Sequence, residues 1–330
     1  MRVMIADTRP DIRAQLASAV EQMRAISLGA CVSDLSEAYH AAETRPPQAV
    51  IAAENLAILP EFEVLLTLLK ALNVRCVIVA DTPASMKRLR VPTDDPGVAV
   101  THMGVSAEEL RQCLFSVHLG REAKTQVTGR VDDGMAFQDG RIILIGASTG
   151  GVDALIKVLG SFPANCPPTL IVQHTSGTFS AGLARLLDRN SAASVAEARD
   201  RQPLVPGSVL LAPGKEHHLE LGLGSGLHCR LRNAPPQCGH RPSVDALFRS
   251  AVPVASRVSA AILTGMGRDG AEGLLALNRA GAQTIGQDQA TSLVYGMPRA
   301  AYELGAVSQQ LPLDQIGPAL LRACTRRSAA

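Results

Sequence analysis

Two glycine-rich turns in the second half of the chain each follow a short apolar run and lead into a helical pattern. Residues 142–145 run into Gly146-Ala147-Ser148-Thr149-Gly150-Gly151. Residues 260–264 run into Gly265-Met266-Gly267-Arg268-Asp269-Gly270. An unbroken apolar run, a sharp turn and an amphipathic helix make the repeating unit of a parallel sheet covered on both faces, because strands buried on both sides cannot alternate polar with apolar residues.

The same alternation fills the rest of the chain. Residues 3–6, 28–32, 49–53, 76–80 and 97–100 read as five buried strands. Between them, Ile12, Leu16, Ala19, Val20 and Met23 fall at helical spacing, and residues 62–72 form another apolar-faced helix. Ser106 with Glu109 three residues on is a capping box that opens a fifth helix. After residue 140, residues 142–145, 169–173, 260–264 and 282–286 read as strands, with helices over 152–159, 180–187 and 271–280. Residues 208–212, 217–221 and 227–231 read as short strands, the last two forming a hairpin attached to the main sheet. Residues 121–140 are polar, charged and rich in Gly, and read as a linker. The expected fold is therefore α/β with two doubly wound parallel-sheet domains, 1–120 and 141–330, the second carrying a β-hairpin insertion.

Composition removes several classes of function. At 46% hydrophobic over 330 residues the chain can bury a sizeable core, which disordered chains cannot. A net charge of +2 and nine Phe and Tyr with no Trp give neither the basic surface nor the stacking platform that nucleic acid needs. The charge is uneven: residues 1–120 carry 11 Lys and Arg against 14 Asp and Glu, and residues 141–330 carry 18 against 12. No apolar run reaches the roughly 18 residues of a membrane span. The N-terminus becomes charged too early for a signal peptide. Seven scattered cysteines without a C-x-x-C pair fit reduced thiols, not a disulfide framework or a zinc site. A cytoplasmic protein without membrane insertion is expected.

Three strand ends carry the residues of interest. Ser148 follows the strand at 142–145, His174 follows that at 169–173, and Asp269 follows that at 260–264. The carboxyl ends of parallel strands share one edge, where ligands bind, so these side chains are candidates to meet. A serine hydroxyl needs an imidazole to take its proton, and the imidazole needs a carboxylate to fix its tautomer. Gly146-Ala-Ser148-Thr-Gly150 also fits G-x-S-x-G, whose glycines allow a sharp turn that exposes the serine. Other readings stand beside this one. A Gly-rich turn after a strand can cradle a phosphate, although neither G-x-G-x-x-G nor G-x-x-x-x-G-K-[ST] is present. A histidine after a strand can be structural, and Asp269 can simply cap the helix that begins near Gly270.

These segments carry a resemblance. IGASTGG (145–151), VQHT (172–175), LLAPGKEHH (210–218), HRPSVDALF (240–248), LTGMGRDGAEGL (263–274) and GMPRAA (296–301) resemble the CheB-type chemotaxis methylesterases. Residues 1–120 resemble the receiver domain that usually precedes them. The resemblance implies a flavodoxin-like receiver-type domain followed by a Rossmann-like methylesterase domain. It implies Ser148 as nucleophile, His174 as general base and then acid, and Asp269 as orienting carboxylate, with backbone near Met266 contributing to an oxyanion site. No cofactor or metal is implied. The expected reaction is hydrolysis of glutamyl methyl esters on cytoplasmic chemoreceptor helices with release of methanol. Some members also deamidate receptor glutamines, and chemosensory kinase or scaffold proteins are further expected partners. A non-catalytic scaffold that keeps the fold, or a nucleotide-binding module, is the alternative.

The first domain departs from the receiver pattern. Active receivers hold Mg²⁺ and a phosphoryl group with an acidic pair after the first strand, an aspartate ending the third and a lysine after the fifth. Here those places hold Asp7-Thr8, Ala53 and Thr101-His102. Alanine has no oxygen to phosphorylate. The neighbouring Glu54 is expected to point to the opposite face of its strand. The first domain is therefore expected to be a degenerate receiver that is not phosphorylated in the ordinary way.

Overall fold

A computed structural model describes the chain except residues 60, 73, 90–96, 117–135, 175–178, 215, 225 and 326–330. It folds as two compact units, Met1–Thr125 and Gln126–Ala330. Of the expected linker, residues 121–135 lie outside the described residues.

The first unit runs β1 (Arg2–Ala6), α1 (Pro10–Glu21), β2 (Ser27–Val32), α2 (Leu35–Thr44), β3 (Ala49–Ala53), α3 (Glu54–Ala57), α4 (Phe62–Ala71), β4 (Arg75–Ala80), β5 (Val98–His102) and α5 (Ala107–Ser116). Its five strands pair in parallel in the order β2-β1-β3-β4-β5, the flavodoxin-like doubly wound order. β3 is buried at every position, as its sequence AVIAA demands. The capping box closes as expected: Glu109 N donates to Ser106 Oγ at 3.2 Å, and Ser106 N donates to Glu109 Oε2 at 2.7 Å.

The second unit runs β6 (Ile142–Ala147), α6 (Gly151–Leu159), β7 (Thr169–Gln173), α7 (Phe179–Arg189), β8 (Ser194–Glu197), β9 (Ser208–Leu211), β10 (His218–Gly222), β11 (His228–Arg232), α8 (Val244–Ser250), β12 (Val258–Ile262), α9 (Ala271–Arg279), β13 (Gln283–Gln287), α10 (Met297–Glu303), β14 (Gln309–Leu311) and α11 (Leu313–Arg322). Seven parallel strands form one sheet in the order β14-β13-β12-β6-β7-β9-β8. The hairpin is not attached to that sheet as expected. β10 and β11 pair antiparallel as a separate two-stranded sheet, with Leu219, Leu221 and Cys229 joining the apolar core. That core lies between one face of the main sheet (Leu144, Leu170, Val172, Ala260, Ile262) and the helices α8, α9 and α10 (Leu247, Phe248, Leu274, Leu277, Met297). Burying one such Leu or Phe side chain contributes about 2 to 3 kcal/mol, and dozens are buried.

Strand order positions the site. β6 lies between β7, its successor in the chain, and β12, which arrives much later. The connections from β6 and into β12 leave the sheet in opposite directions at this point. Such a reversal opens a crevice at the carboxyl ends of the strands. The ends are level: Ala147 is in register with Gln173, and Gly146 with Ile262. β12 stops at Ile262, two residues before the expected Thr264, so Asp269 sits on a longer turn than anticipated.

Candidate active site

Each candidate side chain is placed by a turn whose backbone bonds leave little freedom. Ser148 N donates to Thr264 O at 3.0 Å, tying the turn after β6 to the turn after β12. Ser148 O accepts from Gly151 N at 2.8 Å and from Gln173 Nε2 at 2.8 Å. Gly150, at φ 81°, is the left-handed residue that lets the chain turn from strand into α6 within three residues. Ser148 is left half-buried at the mouth of the crevice. Thr264 Oγ1 donates to Thr149 O at 2.8 Å and accepts from Val294 N at 2.9 Å, fastening the Ser148 turn to the loop before α10.

Gly265 lies where the two turns pack too tightly for a side chain. A Cβ built there would lie 2.6 Å from Ser148 Cβ and would also collide with the Met297 sulfur. Gly265→Ala should therefore push the serine out of line, with kcat lower by about ten- to a hundredfold and stability lower by about 1 to 3 kcal/mol. Ester turnover and thermal melting of the variant check this.

His174 follows β7, its N–H donating to Ala147 O at 3.0 Å. Its Nε2 lies 2.8 Å from Asp269 Oδ2, with the Asp269 side chain fully buried. The other ring nitrogen, Nδ1, is buried and has no hydrogen-bond partner among the described residues. The carboxylate thus accepts a hydrogen bond from Nε2–H, the tautomer that leaves Nδ1 as the unprotonated nitrogen. Ser148 Oγ does not bond to Nδ1 in this conformation, and contacts of this kind often close only around substrate.

Asp269 does not cap the helix after it, where Gly270 at φ 91° is the N-cap of α9. It faces the start of α8 instead. Ser243 Oγ donates to Oδ1 at 2.8 Å, Asp245 N to Oδ1 at 3.1 Å and Val244 N to Oδ2 at 2.8 Å. Burial works against its charge. The bonds from His174, Val244 and Ser243 outweigh that, and the carboxyl is held below its ordinary value. It is a fixed anion against which the imidazole can rest.

The structure brings His174 and Asp269 into contact and sets Ser148 on the adjoining turn, joined to their strands through the backbone. Met266 is exposed on the turn that follows Gly265. Thr175, where the CheB-type methylesterases commonly have methionine, lies outside the described residues. Sequence reasoning did not single out Ser243, Gln173 or His240. His240 stacks on His174 with ring centroids 3.8 Å apart and planes 6° from parallel. Its place in the HRPSVDALF segment was the available signal.

Cys238, Asp245 and Asp269 bring three ligand-type atoms within 4.8 Å of one another, the one such group among the described residues. Asp269 already accepts four hydrogen bonds, and Asp245 takes one from Gly273 N and a weak one from Cys238 Sγ. Burial, then the Asp245 carboxylate, pushes the Cys238 thiol up to about 11. These groups bond to one another and do not form an open ligand set.

The first unit carries a second acidic pocket, and its own arginine fills it. Asp7 is fully buried after β1. Arg9 Nε donates to Asp7 Oδ1 at 3.1 Å and Nη2 to Oδ2 at 2.9 Å, while Nη2 also lies 2.9 Å from Asp81 Oδ1. Asn55 Nδ2 adds a bond to Asp7 Oδ1 at 2.9 Å. Burial opposes ionisation of Asp7, but the bonds from Arg9 and Asn55 hold it below the usual carboxylate range. Glu54 behaves differently from the expectation based on strand alternation. β3 ends at Ala53, so Glu54 opens α3 and its Oε2 accepts from Asp81 N at 2.7 Å and Ser85 Oγ at 2.6 Å. These residues do not fit Mg²⁺ and a phosphoryl group: Ala53 offers no oxygen and a guanidinium already spans the acids. Acetyl phosphate with Mg²⁺ is expected to leave the protein's mass unchanged, for Arg9→Ala as well as for the native chain. A stable acyl phosphate on residues 1–120, seen by intact-mass spectrometry, would contradict this.

The CheB methylesterase family matches residues 143–320, more than half of the chain. A protein-glutamate methylesterase/protein-glutamine glutaminase of Agrobacterium fabrum is 38% identical over 99% of this chain and 97% of its own length. This chain belongs to the CheB methylesterase family. A relative of the same description from Gluconobacter oxydans is 57% identical over 57% of this chain and 55% of its own length. The CheB methylesterase catalytic domain of Thermotoga maritima, a crystal structure, is 36% identical and superimposes with a TM-score of 0.54, covering 56% of this chain and 99% of that one. Among the described residues no helix is long and apolar enough to cross a membrane.

Proposed function

We propose that this CheB-family protein hydrolyses glutamyl methyl esters on cytoplasmic chemoreceptor helices through Ser148, His174 and Asp269. The unit containing residues 141–330 carries the chemistry, and residues 1–120 form a degenerate receiver-like domain. The observation that carries the reading is the His174 imidazole, bonded to a buried carboxylate through Nε2 while its buried Nδ1 has no partner among the described residues.

Ser148 Oγ attacks the ester carbonyl while His174 Nδ1 takes its proton, and Asp269 steadies the imidazolium. The tetrahedral intermediate collapses as His174 returns the proton to the leaving methoxide, giving methanol and a glutamyl-enzyme. Water, deprotonated by the same Nδ1, then releases glutamate and restores the serine. A glutamine side chain follows the same course with ammonia as leaving group, which fits the paired activities named for the Agrobacterium relative. The net basic 141–330 unit suits an acidic partner surface.

The test is methanol release from methylated chemoreceptor by the full chain. Steady turnover supports the reading. Failure to release methanol from an authentic methylated receptor, with the protein folded, overturns it in favour of a scaffold.

A further inference from the structure

His240 is delivered to the site by a specific turn. His240 N donates to Gln237 O at 2.8 Å and Gln237 N to His240 O at 3.0 Å, closing a two-residue loop. Both loop residues are left-handed, Cys238 at φ 48° and Gly239 at φ 80°. This is the backbone of a tight hairpin turn, favourable at glycine and costly at cysteine. Three residues later Ser243 starts α8 and bonds to Asp269. One short segment therefore holds both the carboxylate under His174 and the ring against its face.

We propose that His240 is a positioning residue for His174, its parallel ring fixing the imidazole plane so that Nε2 stays on Asp269 while Nδ1 faces the Ser148 turn. The inference rests on the serine-esterase reading above. A ring stacked at 3.8 Å blocks rotation about the Cβ–Cγ bond and keeps water from that face. It also sets a charge requirement. His174 becomes a cation during the reaction, and a second cation against its face would oppose that. Burial, then the neighbouring His174, keeps the His240 pKa below the ordinary histidine value. Asp269 pulls the other way. Behind Asp269 lie Asp245, with burial holding its carboxyl above its usual value, and Cys238. Arg249 and Glu272 act on these from further out. The stack thus presents His174 with a neutral face.

The experiment follows labelling of Ser148 by a fluorophosphonate probe across pH, alongside kcat and KM for methylated receptor, in the full chain. His240→Ala should slow labelling and kcat together by about ten- to a hundredfold with KM little changed. His240→Phe, which keeps a flat ring, should recover most of that loss. His240→Arg, which can stack but carries a fixed charge, should move the acid limb of the pH profile to lower pH and lower kcat. A purely structural role predicts none of that pH displacement. If Ser148 is labelled normally and the folded Ala and Arg variants match the native rate and pH profile, this inference falls alone. If Ser148 is not labelled in the native protein, it falls together with the serine-esterase reading.

Discussion

Replacing Ser148 with alanine is expected to lower kcat for methanol release by about ten-thousandfold or more while leaving the fold intact. The reasoning is chemical first. In the proposed mechanism no glutamyl-enzyme can form without Oγ, and hydrolysis is left to water and whatever oxyanion stabilisation the turn retains. In serine hydrolases built on such triads that residue of catalysis is still about a thousandfold over water. Stability should barely move, because the bonds that shape this turn come from its backbone: Ser148 N to Thr264 O, and Gly151 N and Gln173 Nε2 to Ser148 O. The loss should also be non-additive. His174→Ala alone should cost about as much, and the double variant little more, because each step needs both groups. Single variants that each retain a tenth of native turnover would show that another nucleophile does the work. A melting temperature several degrees lower for Ser148→Ala would move the explanation from chemistry to folding.

The buried parallel strands were legible because strands covered on both faces must be apolar throughout: AVIAA at 49–53 and TLIVQ at 169–173 leave no other economical reading. Ser148, His174 and Asp269 were visible for the same reason, since each follows such a run and the carboxyl ends share an edge. The edge strands β8 (SVAE) and β14 (QQL) were not visible. An edge strand faces water and loses the apolar signal. The seven-residue α8 is too short for a 3.6-residue period to show. Asp269 was readable as a cap for the wrong helix, because sequence proximity to Gly270 is a local signal. Its bonds to Ser243, Val244 and Asp245 come from a segment two dozen residues earlier. The Arg9–Asp7 pairing escaped notice likewise. A charge two residues away in a loop has no fixed geometry until the strand end buries the acid.

In the proposed mechanism Asp269 serves both chemistry and stability, and two substitutions there should separate them. Asp269→Asn preserves shape, yet an amide presents an N–H₂ where one carboxylate oxygen accepted hydrogen bonds. Placed at the Oδ2 position it meets the His174 ring nitrogen and Val244 N, and at the Oδ1 position it meets Asp245 N. Either way the imidazole loses its anionic support or its preferred tautomer, and kcat should fall by about ten-thousandfold, with stability lower by about 1 to 3 kcal/mol. Asp269→Ala should be as inactive and less stable still, by about 3 to 5 kcal/mol. It strands the buried N–H groups of Val244 and Asp245 and the Ser243 hydroxyl at the start of α8, and opens a cavity beside them.

The pH dependence of stability provides an independent check. The folded-state pKa of Asp269 lies below its unfolded value, so its contribution is present above the ordinary aspartate value of about 3.9 and is lost as pH falls through the lower folded value. Both variants should therefore lose less stability on acidification than the native protein does in that window. Asp245 responds in the opposite sense. Burial, with the Asp269 charge adding to it, holds its carboxyl above the usual value, so its folded state favours the proton and its ionisation weakens the fold as pH rises. Removing the Asp269 charge relieves part of that repulsion, and stability on the alkaline side of the Asp245 titration should recover relative to the acid side. Chemical denaturation of the three proteins between pH 3 and pH 7 reads both effects. An Asp269→Asn protein with more than a tenth of native turnover would remove Asp269 from the mechanism. Parallel pH profiles for all three would mean that its charge does not hold the start of α8.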